Sequence, residues 1–230
     1  MVNGIIAGLG FVTFALLGGV VIAQSESSPQ VETPGRVAER SNDIHPILVG
    51  MKVPDVVLAD VNGKEVKLYS LLEKKPTVLI FYRGGWCPYC NLQMEQLHTI
   101  ESDVLKEGYQ IVAIGADRPE NVEKSIEKHD LHYTLLSDST MSAAKAFGLA
   151  FRVDKETVER QKKFGVDLEA ASGLSHHILP VPAVFIIQKD GSIIFEYVNP
   201  NFKVRLNAQV LLAILKAENQ QAKNEDTGKK

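Results

Sequence analysis

The sequence predicts an α/β fold with a central mixed sheet flanked by helices. Short apolar runs, which are typical of buried strands, alternate with segments whose apolar residues recur at helical spacing. This alternation favours a sheet with helices on both faces. The chain closes with a second hairpin pattern and one more helix, and this ending makes the predicted sheet mixed rather than parallel.

The first predicted elements are a hairpin, a buried strand and a long helix. Residues 56–58 and 66–68 flank the pair Asn62 and Gly63, a strong short-range hairpin signal. Residues 77–82 form an unbroken apolar run and predict a buried strand. A helix is expected from Cys87 to about Lys106, with one apolar face.

The later elements continue the alternation and end in the second hairpin. They are a strand at 110–114, a helix at 120–128, a strand at 134–136, a helix at 142–147, strands at 184–187 and 193–197, and a helix at 208–217. The charged run 155–163 predicts a solvated helix face in a middle insertion. This order is that of a thioredoxin fold with an N-terminal hairpin and a middle insertion.

Four segments divide the chain. Residues 1–23 are predicted to be a signal peptide or membrane anchor, 24–45 a disordered linker, 46–217 the thioredoxin-fold domain and 218–230 a polar tail. The first 25 residues carry no charged side chain and no histidine. Residues 4–23 are long enough to cross a ~30 Å hydrocarbon core. The missing N-terminal Lys or Arg favours an anchor, and both interpretations export the domain to a membrane-anchored, periplasmic or secreted location.

Composition excludes several classes of function. The formal net charge of -3 argues against a nucleic-acid partner. The chain has two cysteines, Cys87 and Cys90, whereas a structural disulfide framework uses more cysteines at wide spacings. A zinc site with His129 and His132 is an alternative, but their spacing misses the usual finger pattern. No cofactor and no metal are expected.

The chemistry is expected at Cys87 and Cys90, the ends of a Cys-Pro-Tyr-Cys motif at a helix start. Unpaired N–H groups there stabilise a thiolate and lower its pKa from ~8.5 towards ~3.5–7.5. Residues three apart on a helix share a face, so the two sulfurs can form a disulfide. Arg83 adds positive charge before the motif, and Trp86 and Tyr89 beside the cysteines indicate a surface platform rather than inert buried thiols.

The segment 81–90, Phe-Tyr-Arg-Gly-Gly-Trp-Cys-Pro-Tyr-Cys, resembles the active-site segment of the alkyl hydroperoxide reductase / thiol-specific antioxidant family, the peroxiredoxins. The resemblance extends to residues 50–71, 111–120, 135–148, 182–187 and 190–191. Residues 199–206 resemble a stretch of the family's nearest relatives, but the sequence assigns that stretch no physical role. In that family Phe-Tyr leads into Pro-x-x-x-Thr-x-x-Cys, and the last Cys attacks peroxide. That Cys falls on Cys90 here, the Thr falls on Cys87 and the Pro falls on Arg83.

The resemblance implies a thiol peroxidase that reduces hydrogen peroxide or organic hydroperoxides. Cys90 would attack and Cys87 would resolve the product as a disulfide, which a thioredoxin- or glutaredoxin-type dithiol would reduce. Pro182 falls where thioredoxin-fold reductases carry a cis proline, so the Val181–Pro182 bond is a cis candidate. Pro182 also occupies the place near which many peroxiredoxins carry an Arg, and Arg83 is the candidate substitute.

Two further functions stay open on the sequence. A thiol-disulfide oxidoreductase would use Cys87 as its nucleophile against protein disulfides, and a membrane-tethered redox sensor would use the same pair without catalysis. His176 and His177 either face the site or belong to an exposed loop. The sequence leaves open which cysteine reacts first.

Overall fold

The computed structural model describes Met1 and residues 35–227. Its strands are β1 (Val57–Ala59), β2 (Glu65–Lys67), β3 (Thr77–Tyr82), β4 (Gln110–Gly115), β5 (Thr134–Ser137), β6 (Ala150–Arg152), β7 (Ile178–Pro180), β8 (Ala183–Ile187) and β9 (Ile193–Val198). Its α-helices are α1 (Tyr69–Leu72), α2 (Pro88–Lys106), α3 (Pro119–His129), α4 (Ser142–Ala146), α5 (Lys155–Lys163), α6 (Leu168–Ser172) and α7 (Ala208–Thr227).

A seven-stranded mixed sheet runs through the described residues in the order β2-β1-β5-β4-β3-β8-β9. Strands β3, β4 and β5 are parallel, while β8 runs antiparallel to β3 and β9 antiparallel to β8. Because parallel strands end at the same edge, the residues that follow β3, β4 and β5 lie close together. The predicted mixed sheet is confirmed, and this edge carries the site described below.

Two apolar clusters pack on the opposite faces of the sheet. Side chains alternate between faces along a strand, so Leu79 and Phe81 of β3 join one cluster while Val78, Ile80 and Tyr82 join the other. All six residues of β3 are buried, as its unbroken apolar run predicts. The second cluster includes residues of α2 and α7 and both cysteines, so the reactive pair is built into the core.

The predicted linker ends earlier than expected. The backbone of Ala38 pairs with the edge of β6, where its N–H donates to Ala150 O at 2.9 Å and its carbonyl accepts from Arg152 N at 2.8 Å. A short 3₁₀ helix follows at Ser41–Asp43. Val37 and Ile44 pack against the first cluster, and these two apolar side chains hold a largely polar segment on the domain. The prediction of a disordered linker up to residue 45 is therefore wrong for its last residues.

The predicted end of the last helix is also wrong. Helix α7 continues ten residues beyond Ala217, through part of the predicted polar tail. Asn219 holds this extension, because its side-chain amide donates to the carbonyl and to the carboxylate of Glu107, both at 2.8 Å. Glu107 lies directly after α2, so this contact adds a polar link to the apolar packing between the two long helices.

The middle insertion between α4 and β8 contains β6, α5, α6 and β7. Strands β6 and β7 form a separate two-stranded sheet that the sequence pattern does not predict. Helix α5 has no buried residue, which confirms the expected solvated helix. The apolar run 4–23 lies outside the described residues, and no helix among those residues is long and apolar enough to cross a membrane.

Candidate active site

The cysteine pair lies just after strand β3, at the start of helix α2. After Tyr82 the backbone turns through residues 83–86 and enters α2, with Cys87 as the extended N-cap residue and Pro88 at the first helical position. The Cys87 carbonyl accepts the first bonds of the helix from the N–H groups of Cys90 and Asn91, at 3.0 and 3.1 Å. The predicted start of the helix is confirmed, and both sulfurs belong to its first turn.

Both cysteines are free thiols, and both are buried, with 1% and 0% of their surfaces exposed. The sequence argument for an exposed platform holds for Tyr89, which is exposed, but not for the thiols beside it. Burial does not make the pair inert, because the two thiols interact with each other and with two arginines.

As pH rises, Cys87 loses its proton before Cys90 does. The pKa of Cys87 is lowered to about 6, first by a hydrogen bond from the Cys90 thiol and then by the nearby Arg83 charge and the Cys90 backbone N–H, while burial opposes the shift. The pKa of Cys90 is raised well above its ordinary value by burial and by its hydrogen bond to Cys87. At neutral pH the two sulfurs therefore share one proton, which rests on Cys90.

Two arginines flank the pair from different parts of the chain. Arg83 is 6% exposed and hydrogen bonds to Cys87. Its guanidinium carbon lies 4.1 Å from the centroid of the Phe202 ring and 5.0 Å from that of Trp86. Arg205 donates from Nη2 to Sγ of Cys90 at 3.5 Å, and its Nη1 donates to the carbonyl of Phe202. Each sulfur therefore has its own guanidinium.

Arg205 was not selected from the sequence. It lies 115 residues after Cys90, in the connection between β9 and α7, and no local pattern links the two positions. The sequence argument assigned Arg83 as the substitute for the family arginine, but Arg83 hydrogen bonds to Cys87. The one sequence signal for Arg205 was that residues 199–206 resemble a stretch of the family's relatives. The residue pattern alone did not indicate what that stretch does.

Asp117 fixes the loop that precedes the cysteines. Its Oδ2 accepts from the Gly85 N–H at 2.6 Å, and its carboxylate also accepts a hydrogen bond from the Trp86 side chain. Asp117 directly follows Ala116 at the carboxyl end of β4 and is 2% exposed. Burial raises its pKa to about 6, although both hydrogen bonds act in the opposite direction. Trp86 is thus held between Asp117 and the Arg83 guanidinium, directly before Cys87.

Pro182 lies near the site, but its peptide bond is not cis. No cis peptide bond occurs among residues 35–227. The N–H of Val181 donates to Leu149 O at 2.9 Å, and this bond holds the chain as it passes from β7 into β8. The predicted cis bond is therefore wrong, while Pro182 does share a cavity wall with Arg83 and Phe202.

The histidine pair lies beside the site with both rings engaged. Nε2 of His176 lies 2.7 Å from Ser139 O, and its Nδ1 accepts from the Ile178 N–H at 2.9 Å. Nε2 of His177 lies 2.9 Å from Glu169 Oε1. Both residues line a small cavity with Arg83, Trp86 and Asp117.

The zinc alternative finds no support in the position of its histidines. His129 lies 3.2 Å from a carboxylate oxygen of Glu95. His132 lies with His98 and Glu101, and these three side chains bring potential metal-ligand atoms within 4.8 Å of one another. Within the part of the chain that the structure describes, no such group includes either cysteine.

Comparison with known proteins is consistent with this geometry. The AhpC/TSA family profile matches residues 49–196. Peroxiredoxin Bcp of Escherichia coli (strain K12) is 28% identical over 174 residues, covering 75% of this chain and 98% of that protein. Thiol-disulfide oxidoreductase ResA of Geobacillus thermodenitrificans is 30% identical over 115 residues, covering 47% of this chain and 65% of that protein.

Solved structures share the fold. The crystal structure of Peroxidoxin BcpB from Mycobacterium tuberculosis has a TM-score of 0.58 and 23% identity, covering 74% of this chain and 96% of that one. Reduced Prx3 from Vibrio vulnificus in complex with hydrogen peroxide has a TM-score of 0.61 and 18% identity, covering 74% and 99%. At these identities the likeness establishes the mixed α/β architecture.

Proposed function

The chain belongs to the AhpC/TSA family, and we propose that it is a thiol peroxidase in which Cys90 attacks the peroxide and Cys87 resolves the product. The observation that carries this assignment is the Arg205 guanidinium, whose Nη2 lies 3.5 Å from Cys90 Sγ. The second cysteine is in hydrogen-bond contact and shares the proton of the pair. A fixed cation beside a sulfur stabilises its thiolate, which is the reactive form.

The reaction begins with a proton transfer inside the pair. In the resting protein Cys87 is the thiolate and Cys90 is the thiol that donates to it. Movement of that proton to Cys87 places the negative charge on Cys90, where Arg205 stabilises it. The total charge of the pair does not change, so this step needs no proton from solvent.

The chemical steps balance within the pair. The Cys90 thiolate attacks a peroxide oxygen, a sulfur–oxygen bond forms, and the oxygen–oxygen bond breaks. The leaving alkoxide, or hydroxide in the case of hydrogen peroxide, takes the proton from Cys87. The Cys87 thiolate then attacks the Cys90 sulfenic acid, forms the disulfide and releases hydroxide, which solvent protonates. Two thiols are oxidised, and an external thioredoxin- or glutaredoxin-type dithiol restores them.

Single-cysteine variants test the assignment. We expect the Cys87→Ser variant to form a sulfenic acid at Cys90 on mixing with hydrogen peroxide, detected by mass spectrometry after dimedone trapping. The Cys90→Ser variant should be oxidised at least tenfold more slowly, a loss of about 1.4 kcal/mol in transition-state stabilisation. Rapid sulfenic acid formation at Cys87 in the Cys90→Ser variant would overturn the assignment.

A thiol-disulfide oxidoreductase with Cys87 as the nucleophile is the second candidate. The observation that favours it is the lowered pKa of Cys87, about 6, which makes this sulfur the resting thiolate. The ResA relative, of which this chain spans 65%, is named for that activity. In the Cys90→Ser variant this function would leave mixed disulfides between Cys87 and a disulfide-containing substrate protein, and these are visible on non-reducing gels.

We also propose that residues 4–23 export the domain and remain as a membrane anchor. The support is the charge-free apolar run itself and the absence of a Lys or Arg before it. Intact-mass measurement on protein purified from membranes would show the full chain if the segment is retained. A mature N-terminus near residue 24 would identify a cleaved signal peptide, and recovery of the full chain in the cytosolic fraction would contradict export.

A further inference from the structure

Two imidazoles and one carboxylate converge on helix α2, in a group that includes neither cysteine. His98 and Glu101 lie three residues apart on α2 and therefore share one face of the helix. His132 comes from the connection between α3 and β5. One potential metal-ligand atom from each of the three side chains lies within 4.8 Å of the other two. We call these three residues the His-Glu cluster; its first member lies eight residues after Cys90, about 12 Å along the helix axis.

The neighbours of His132 hold it against α2. Leu131 is buried, and its N–H donates to the carbonyl of Ile126 at 3.2 Å. Tyr133 is also buried, and its hydroxyl donates to the carbonyl of Met94 in α2 at 3.3 Å. His132 itself is exposed between these two anchored residues. The backbone that carries its imidazole is therefore already placed beside α2, so ligand binding does not have to order it.

The distances within the His-Glu cluster are close to those of a metal centre. Oε2 of Glu101 lies 3.5 Å from Nδ1 of His98 and 4.0 Å from Nδ1 of His132. Zinc bonds of ~2.0–2.1 Å at tetrahedral angles place ligand atoms about 3.3–3.4 Å apart. The first distance is near this value, and the second is closed by a small turn of the exposed His132 side chain. One ion can therefore contact all three side chains without a change in the backbone.

The atoms that face the centre of the cluster have unused binding capacity. Nδ1 of His98 is buried and has no hydrogen-bond partner among the described residues. The Glu101 side chain is 13% exposed, and a carboxylate so placed is ordinarily paired with a cation or bound to a metal. Nε2 of His132 lies 3.7 Å from Oδ1 of Asp130. A proton on Nε2 is directed to this carboxylate and leaves the Nδ1 lone pair for an ion, as outer carboxylates do for metal-binding histidines.

We propose that the His-Glu cluster binds one divalent transition-metal ion of the zinc type, through Nδ1 of His98, Nδ1 of His132 and Oε2 of Glu101. Two imidazole nitrogens and one carboxylate oxygen suit zinc and its transition-metal neighbours, whereas calcium and magnesium favour oxygen ligands. Water takes the fourth position on the exposed side. The ion links α2 to the connection before β5, and this site is independent of the proposed peroxidase function.

A surface pocket of about 320 Å³ gives an ion access to the cluster. Glu101 and His132 line it, together with Lys74 and Lys75. Both lysines are exposed, so water and salt screen their charge, but their sign still opposes the binding of a cation. Three protein ligands and this opposing charge lead us to expect a micromolar dissociation constant for zinc.

Zinc also binds thiolates, so the first test uses the full chain with Cys87→Ser and Cys90→Ser. Calorimetric titration with zinc chloride near pH 7 should show one ion per chain, and magnesium chloride should not compete. Adding His132→Gln should weaken zinc binding at least 100-fold, because loss of even an outer partner of a ligand costs ~10–100-fold. The matched control is His45→Gln, at an exposed histidine outside the cluster, and it should keep the affinity. Absence of zinc binding, or equal binding in the His132→Gln variant, would overturn the proposal.

Two further measurements check the fold and the ligands. Zinc at a hundredfold excess over its dissociation constant should raise the Tm of the cysteine-free protein by about 5–10 °C. His132→Gln should abolish this rise while leaving the zinc-free Tm within about 2 °C, because its side chain is exposed.

Cobalt tests the ligands in the wild-type protein. The first equivalent of cobalt chloride should give visible d–d bands without the near-ultraviolet absorption of a thiolate–cobalt bond. Strong thiolate–cobalt absorption at the first equivalent would place the ion on the cysteines and contradict the proposal.

Discussion

Two buried carboxylates at neighbouring strand ends have the same acidity and different roles. Asp117 follows β4 and Asp138 follows β5, at the sheet edge that carries the cysteines. They are 2% and 3% exposed, and burial raises the pKa of each to about 6. Burial therefore determines their acidity in the same way at both positions.

The difference lies in the donors that each carboxylate accepts from. Asp138 accepts from the backbone N–H groups of Ala143 and Ala144, at 3.0 and 2.8 Å, and so stabilises the start of α4 a few residues away. Asp117 accepts from Gly85, 32 residues away, and from Trp86. A local partner makes the carboxylate a helix cap, and a distant partner makes it a support of the active-site loop.

The largest effect is expected for Asp138→Ala. This change leaves two buried helical N–H groups without an acceptor, and each such loss costs ~1–3 kcal/mol, so unfolding in urea should show a loss of about 3 kcal/mol. The alkylation rate of Cys87 should stay within twofold of wild type, because Asp138 does not contact the loop. Asp55→Ala, at an exposed carboxylate, is the matched control and should change stability little. A loss of Cys87 reactivity in folded Asp138→Ala protein would break the comparison.

The second-largest effect is expected for Asp117→Asn, which should change how the free energy of unfolding depends on pH. The folded-state pKa of Asp117, about 6, lies above its ordinary value of 3.8, so wild type loses stability as pH rises through this window. A pKa shift of this size corresponds to about 3 kcal/mol. The free energy of unfolding should therefore decline between pH 4 and 7 by about 2 kcal/mol less in the variant than in wild type. Urea unfolding across this pH range measures it. Parallel profiles for the two proteins would contradict the assigned burial of the charge.

The same variant tests the link between Asp117 and the cysteines. The charge of the Cys87 thiolate raises the pKa of Asp117, and because repulsion between two negative charges is mutual, the Asp117 carboxylate should also disfavour the Cys87 thiolate. Removal of the carboxylate should therefore move the midpoint of the Cys87 thiolate absorbance at 240 nm to lower pH. The thiolate is lost as pH falls through about 6 in wild type, so the variant should remain reactive further into the acid range.

A smaller effect is expected for Trp86→Phe. Phenylalanine keeps an aromatic ring against Arg83 but removes the N–H that donates to Asp117. Loss of one charge-assisted hydrogen bond should cost about 1.5 kcal/mol at pH 7. The cost should shrink at pH 4, where Asp117 is protonated, and Asp117→Asn should remove most of it. Equal costs at both pH values would show that the indole acts by packing alone.

The smallest effect is a coupling between Gly85 and Ser125. A Cβ at Gly85 would lie 2.1 Å from Ser125 Oγ, the end of a small side chain, and 3.4 Å from its Cβ. Gly85→Ala should cost about 1 kcal/mol, and Ser125→Ala should recover most of that cost, with a coupling of about 0.5–1 kcal/mol in a double-mutant cycle. If the two costs are additive, the cost of Gly85→Ala comes from the backbone of the loop and not from the contact with Ser125.

Elements with a local signal were predicted well. The hairpin at Asn62 and Gly63, strand β3 and helix α2 each follow from a turn pair or a run of apolar residues read within one element. Strands β6 and β7 were missed because each has three residues, and their pairing joins residues at the two ends of the insertion. The last ten residues of α7 were missed because the sequence 218–227 is largely polar, and the contact from Asn219 to Glu107 joins positions 112 residues apart.

The sequence by itself determined that Cys87 and Cys90 occupy the first turn of a helix beside Arg83 and Trp86, because these residues are neighbours along the chain. Only the tertiary structure decided which of the two cysteines is the thiolate and which is the thiol. Packing of α2 in the second cluster buries Cys90, the connection before α7 brings Arg205 to it, and the end of β4 brings Asp117 under the loop. Acidity depends on burial and on charges a few ångströms away, and contacts between residues 32 and 115 positions apart exist only after the sheet has formed.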